Sequence, residues 1–266
     1  MNTNPSQPYK QVRAQSGTPA NSCADIAFYS ITEQPYGDIV LLPGFGQNSR
    51  TSYLMTRILN WAVPRAYRVI TVDTFLGNIQ PLTPEQVQQY TYPELQTLIE
   101  ESLGEIQSHD LTTPHIVAHS TTTTVLTDIF NKSVKNNQSL PAQSAVMFAP
   151  FPHNLSIFAR LAEKTADENQ RNFLYSMESF SKELLNVPFD PQTMLKWNIP
   201  VCFVVGKKDK IASPENAKSH ISQLSTNPFI WTKQLQSNHN FANLPLYEIK
   251  KYIAFIVQQN SKTKAR

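Results

Sequence analysis

Ser120 lies where a strand and a helix are predicted to meet. The largely apolar run 115–118 is typical of a buried strand, and a helical pattern follows over 121–135. A serine at such a junction is held on a sharp turn, with its hydroxyl at the carboxyl edge of the sheet and helix N–H groups beside it. That arrangement suits a nucleophile, although a serine in this place is also an ordinary helix N-cap. A catalytic interpretation therefore depends on partners for Ser120.

Asp209 and His239 are the predicted partners. Asp209 follows the predicted strand 201–205, and His239 lies in a polar loop after the predicted strand 229–235. A serine nucleophile needs a base to accept its proton, and the base needs an acid that orients it. The order Ser, Asp, His along the chain is the one expected for such a sheet. We therefore predict that Ser120, Asp209 and His239 meet at one edge of the sheet.

Two backbone amides would complete this site. The run 42–46, Leu-Pro-Gly-Phe-Gly, follows the predicted strand 39–42. An oxyanion hole in this kind of sheet combines an N–H group from that loop with the N–H group of the residue after the nucleophile. Glycines on both sides of Phe45 permit a tight turn. We predict that the N–H groups of Phe45 and Thr121 form the oxyanion hole.

Composition and charge argue against several other classes of protein. Of the 266 residues, 40% are hydrophobic, which is enough for a packed core. The 23 Lys and Arg against 20 Asp and Glu give a net charge of +3, too small to indicate nucleic-acid binding. The sequence contains no P-loop string, and no cluster of Cys and His has metal spacing. We expect no metal, no cofactor and no membrane span, and, since an apolar leader is missing, a cytoplasmic location.

Strand-like and helical segments alternate along most of the chain. Strands are predicted at 8–14, 23–32, 39–42, 67–72, 115–118, 144–149, 201–205 and 229–235, and helices at 50–62, 92–107, 121–135, 213–224 and 244–258. This alternation is typical of an α/β fold with a mostly parallel sheet. The segment after 149 carries many aromatic and leucine residues without a strand pattern, which indicates a helical insertion. Its apolar side either packs on the core or roofs an apolar substrate pocket.

These motifs together resemble the α/β-hydrolase family over roughly residues 35–260. Five segments carry the resemblance: 42–46, Asp-Thr-Phe-Leu-Gly at 73–77, Ala-His-Ser-Thr-Thr at 118–122, Gly-Lys-Lys-Asp at 206–209 with Pro214, and Asn-His at 238–239. The resemblance implies an eight-stranded, mostly parallel α/β-hydrolase sheet with helices on both faces. It also implies a small helical cap between strands six and seven, at 150–197, with 1–149 and 198–266 forming the core. Two residues depart from the family's pattern, because Pro43 stands where a histidine is common and Thr122 where the elbow has a glycine.

The resemblance further implies a serine hydrolase. Ser120, Asp209 and His239 would cleave a carboxylic ester or thioester through an acyl-enzyme. The Phe- and Leu-rich insertion indicates that the acyl group is apolar. The substrate would be a small-molecule ester or acyl thioester. The lysines on both sides of Asp209 make an acyl carrier protein or a coenzyme A thioester a candidate partner.

Two other functions stay open at this point. Thr122 motivates a hydrolase fold that has lost turnover and serves as a binding protein. The run 44–49, Gly-Phe-Gly-Gln-Asn-Ser, followed by Asp73 at the end of the next strand, comes within one residue of a dinucleotide-binding fingerprint. In that comparison Ser49 replaces a glycine, and Asp73 lies 29 residues after the first glycine of the run, whereas about 20 is expected.

Overall fold

The structure of the chain, a computed structural model, contains an eight-stranded sheet. It describes residues 7–15, 23–44, 47–74, 91–109, 112–150, 156–245 and 247–254. The strands are β1 Lys10–Gln15, β2 Cys23–Tyr29, β3 Asp38–Leu42, β4 Arg68–Thr74, β5 His115–His119, β6 Ser144–Phe148, β7 Val201–Gly206 and β8 Ile230–Leu235. The predicted strands are confirmed, with ends that differ by a few residues.

The sheet is mostly parallel, as the sequence predicts. Its strand order is β1-β2-β4-β3-β5-β6-β7-β8. β2 is antiparallel to β1 and to β4, and every neighbouring pair from β4 across to β8 is parallel. Because parallel strands end at the same edge, the loops that follow β3, β5, β7 and β8 gather there. We call this edge the carboxyl edge and the opposite one the amino edge.

Helices follow the parallel strands and cover both faces of the sheet. They are α1 Tyr53–Ala62, the 3₁₀ turn Val63–Arg65, α2 Tyr92–Gln107, α3 Thr121–Lys135, α4 Ser156–Glu163, α5 Glu168–Leu185, α6 Pro191–Met194, α7 Pro214–Ser222 and α8 over 247–254. The side chain of Ser52 accepts a hydrogen bond from the N–H of Met55 and caps α1, which therefore begins later than the predicted residue 50. Within the described ranges, no helix is long and apolar enough to cross a membrane.

The central strands are buried on both faces. Val40 and Leu42 of β3 belong to a hydrophobic cluster with α2 and α3, whereas Ile39 and Leu41 belong to a second cluster with α1 and α8. This alternation follows from the two-residue period of a strand. Burial of each such side chain stabilises the fold by about 1.5–3 kcal/mol. The two clusters hold the sheet rigidly between two helical layers, so its carboxyl edge is a firm base for a site.

The interval 150–197, predicted as a helical cap, contains α4, α5 and α6. α4 packs against α5, and α5 also contacts α2. Phe180 and Leu184 of α5, together with Trp197, belong to the hydrophobic cluster that contains α2 and α3. Part of the insertion therefore packs on the core, and Phe151 lies outside the described residues. The division into core and cap stays a prediction.

Candidate active site

Ser120 occupies a strained turn between β5 and α3. Its backbone has φ 58° and ψ −126°, a region that residues other than glycine rarely adopt. Its side chain makes no capping hydrogen bond to the helix, unlike an ordinary N-cap serine. Instead the Ser120 Oγ atom lies 2.8 Å from Nε2 of His239. The turn therefore presents the hydroxyl to an imidazole from a distant loop.

Asp209 orients that imidazole from the loop after β7. Its Oδ2 and Oδ1 atoms lie 2.9 Å and 3.1 Å from Nδ1 of His239. Oδ1 also accepts hydrogen bonds from the N–H groups of Ile211 and Ala212, both at 2.8 Å. These two amides fix the carboxylate, whose side chain is 1% exposed. The carboxylate can thus both position and stabilise a protonated imidazole.

The His239 loop is anchored by a buried aromatic side chain. Phe241 is completely buried, has φ 52°, and packs edge-on against Phe148 with ring centroids 5.1 Å apart.

Because a carboxylate only accepts hydrogen bonds, we assign the proton of His239 to Nδ1, which leaves Nε2 to accept from the Ser120 hydroxyl. The structure thus brings Ser120, His239 and Asp209 into one hydrogen-bonded chain.

The structure describes one of the two predicted oxyanion donors, Thr121. Phe45 lies outside the described residues. Thr121 is buried and is the first residue of α3, so its N–H group has no acceptor within the helix. Gly44, just before Phe45, lies so close to the elbow that a Cβ atom there would be 3.0 Å from Cβ of Ser120. The chain at Gly44 therefore lies close to the elbow, and a Cβ atom there would be tight against both Ser120 and His119.

Asp73, at the end of β4, holds the loop after β3. Its Oδ1 accepts from the N–H group of Ser49 at 2.7 Å, and its Oδ2 accepts from the Ser49 hydroxyl at 2.8 Å. Burial raises the pKa of this carboxyl group, and the hydrogen bonds from Ser49 act in the opposite direction. Both oxygens are therefore committed to the loop, which argues against the ribose-binding role that a dinucleotide site would require.

Two contacts around His239 had no sequence signal. Nε2 of His119 lies 2.8 Å from the backbone carbonyl oxygen of His239, and the two rings lie 5.2 Å apart. Gln47, on the loop after β3, donates from Nε2 to Oδ1 of Asn240 at 3.3 Å. In the sequence His119 only flanks the serine, because nothing local indicates a contact 120 residues away.

A second serine–histidine pair lies at the amino edge. Nδ1 of His115, at the start of β5, is 2.8 Å from Oγ of Ser144, at the start of β6. The Asp38 carboxylate at the same edge forms two hydrogen bonds with Arg68, at 2.6 Å and 3.0 Å. His115 begins β5, and Ser120 follows the last residue of the same strand, so the two lie at opposite edges of the sheet.

Among the comparisons with known proteins, the search of solved structures found similar proteins. No family model matches the chain, and no curated protein matches it either. An esterase of Pyrococcus furiosus is similar, with TM-score 0.71 and 13% identity over 96% of this chain and 92% of that one. So is the thioesterase domain from the curacin biosynthetic pathway, with TM-score 0.58 and 12% identity over 94% and 99%. An α/β-hydrolase enzyme from a sediment metagenome of the Mar Chica lagoon, Morocco, has TM-score 0.61 and 14% identity over 90% and 96%. With these neighbours and its sheet order, the chain has the α/β-hydrolase fold.

Proposed function

We propose that this protein is a serine hydrolase that cleaves carboxylic esters or thioesters of apolar acyl groups. The hydrogen-bonded chain from Asp209 through His239 to Ser120, ending at a strained elbow beside a helix N-terminus, carries the proposal. The similar folds of an esterase and a thioesterase domain support the reaction class. Serine as the nucleophile, the triad and the acyl-enzyme are part of the proposal.

Acylation starts at the Ser120 hydroxyl. His239 Nε2 removes its proton as Oγ attacks the carbonyl carbon, and Asp209 stabilises the imidazolium that forms. The negative charge that develops on the carbonyl oxygen meets the N–H group of Thr121 at the start of α3 and, as the second predicted donor, that of Phe45 in the sequence after β3. Loss of one such donor costs about 3–4 kcal/mol of barrier reduction. His239 then returns its proton to the leaving alcohol or thiol, which leaves the acyl group on Oγ.

Deacylation uses the same groups in the reverse sense. Water gives a proton to His239 Nε2 and attacks the acyl carbonyl, and the second tetrahedral intermediate is held by the same two amides. When it collapses, the imidazolium protonates Oγ of Ser120, and the free acid leaves. The cycle therefore consumes one water and restores the enzyme.

The loop that carries Asp209 bears on the identity of the substrate. Lys207, Lys208 and Lys210 are exposed on both sides of the buried carboxylate. Positive charge beside the site would attract an anionic acyl carrier protein or coenzyme A thioester. If so, kcat/KM for an acyl-coenzyme A falls as salt rises, while kcat/KM for a neutral ester of the same acyl group stays level. Equal salt responses would favour a neutral ester as the substrate.

The test is a series of p-nitrophenyl esters of increasing chain length, together with a fluorophosphonate probe. Ser120→Ala should lose ester hydrolysis, by a factor on the order of 10⁶ in kcat, and should not be labelled. Ser144→Ala removes the serine that contacts His115 at the amino edge and should keep both activities. Retained turnover in Ser120→Ala would refute the mechanism. A wild-type protein that is neither labelled nor active would instead favour the non-enzymatic binding protein.

A further inference from the structure

Thr122 is the residue of the elbow that departs most from the α/β-hydrolase pattern, and its hydroxyl makes hydrogen bonds with three backbone groups. It is 3% exposed. Its hydroxyl oxygen lies 2.9 Å from the carbonyl oxygen of Leu42 and 3.0 Å from that of His119. The N–H group of His119 donates back to the same hydroxyl at 3.2 Å. The single hydroxyl proton is therefore shared between two carbonyl groups, and the oxygen also accepts.

The contact with Leu42 joins two strands where their pairing ends. Leu42 is the last residue of β3 and is paired with Ala118 of β5. Next comes Pro43, which has no N–H group and cannot donate a hydrogen bond toward β5. The Thr122 hydroxyl supplies a donor at this point. The two departures from the family's pattern, Pro43 and Thr122, thus lie at one junction, where the Thr122 hydroxyl donates to the carbonyl oxygen of Leu42, the residue before the proline.

The same junction reaches the catalytic base. His119, whose backbone bonds to Thr122, has Nε2 at 2.8 Å from the carbonyl oxygen of His239. Since a carbonyl oxygen only accepts, Nε2 of His119 carries the proton. One set of hydrogen bonds therefore joins the end of β3, the nucleophile elbow and the backbone of His239.

We propose that Thr122 is a positioning residue for the hydrolase reaction, whose hydroxyl holds the end of β3 and its loop against the elbow. This inference rests on the proposed function. Leu42 lies only three residues before Phe45, whose N–H group must reach the oxyanion. A shift of about 1 Å between that amide and Ser120 can lower the rate by about 100-fold. The elbow threonine thus supports turnover and does not impair it.

Three variants at this position separate the hydroxyl from the shape of the side chain. Thr122→Val keeps the branched shape and loses the hydroxyl, and we expect kcat to fall by about 10–100-fold with KM little changed. Thr122→Ser keeps the hydroxyl and should retain most of the wild-type kcat. Thr122→Gly restores the family's residue and should lose activity as Thr122→Val does. If the branched side chain were merely crowding the turn, Thr122→Gly would instead be faster than wild type.

The measurements are kcat and KM for one p-nitrophenyl ester, the rate of fluorophosphonate labelling, and the thermal midpoint of each variant. A role in folding alone would lower the midpoint without the loss of kcat in the folded protein and without rescue by serine. Equal kcat for wild type, Thr122→Val and Thr122→Ser would overturn the inference and leave the proposed function intact. An inert wild-type protein would overturn the proposed function first. If Thr122→Val does not fold, Thr122→Ala gives the same comparison with Thr122→Ser.

Discussion

The two edges of the sheet carry similar side chains and use them differently. At the amino edge, His115 contacts Ser144, and the Asp38 carboxylate is paired with Arg68. At the carboxyl edge, His239 contacts Ser120, and Asp209 is paired with the histidine itself. Both edges thus contain a serine, a histidine and an aspartate.

What differs is the backbone around them. At the carboxyl edge the serine itself has a positive φ, 58°, whereas the positive φ of 61° at the amino edge belongs to Ala66 and not to the serine or the histidine there. Ser144 lies within a regular strand and is completely buried, whereas Ser120 stands on a turn at the start of α3. Helix N-termini, with their partial positive charge, follow the strands at the carboxyl edge. Residue types alone therefore do not make a nucleophile, because the hydroxyl also needs a strained turn and amide donors.

The largest expected contrast is between the effects of replacing His239 and His115. His239→Ala should reduce kcat by a factor on the order of 10⁶, because Ser120 loses its proton acceptor. His115→Ala should leave kcat close to wild type and lower the free energy of unfolding by about 1–3 kcal/mol, since the Ser144 hydroxyl loses its partner. Steady-state kinetics and denaturant unfolding measure the two effects. A large loss of kcat in His115→Ala would mean that the edges are not functionally separate.

The next contrast is between the effects of replacing Asp209 and Asp38. In Asp209→Asn, an amide N–H group facing Nδ1 of His239 would favour a proton on Nε2, which could then not accept from Ser120, and kcat should fall by about 10⁴-fold. In Asp38→Asn, Arg68 loses its charged partner, and the free energy of unfolding should fall by about 3 kcal/mol at unchanged kcat. Kinetics on the folded fraction of each variant distinguish these results. Similar kcat losses in both would contradict the assignment.

The smallest expected contrast compares two glycines. Gly44→Ala places a Cβ atom 3.0 Å from Cβ of Ser120, so the loop after β3 must move, and kcat should fall by about 10–100-fold. Gly104 lies in the exposed part of α2, where an added Cβ atom would meet no neighbouring group within 4 Å. Gly104→Ala should therefore stabilise the helix by about 0.5–1 kcal/mol and leave kcat unchanged. Thermal midpoints and kcat test both, and an unaffected kcat in Gly44→Ala would place the oxyanion loop elsewhere.

The strand and helix pattern was predictable because burial on both faces gives short apolar runs, such as β5 and β7, bounded by polar turns. Ser120, Asp209 and His239 could be selected as candidates because each follows a strand, and parallel strands end together. The boundaries were less predictable, since the start of α1 depends on which of several polar residues before it, in the end Ser52, caps the helix. The oxyanion residue Phe45 stays a prediction.

By itself the sequence determined the α/β-hydrolase sheet and the three polar residues that follow its strands, because these depend on local periodicity and chain order. Only the tertiary structure decided how Thr122 and His119 are used. Their hydrogen-bond partners lie 80 residues away at Leu42 and 120 residues away at His239. Such contacts depend on distances between atoms that only folding brings together. For that reason a threonine that departs from the motif can hold the end of β3 against the elbow that follows β5.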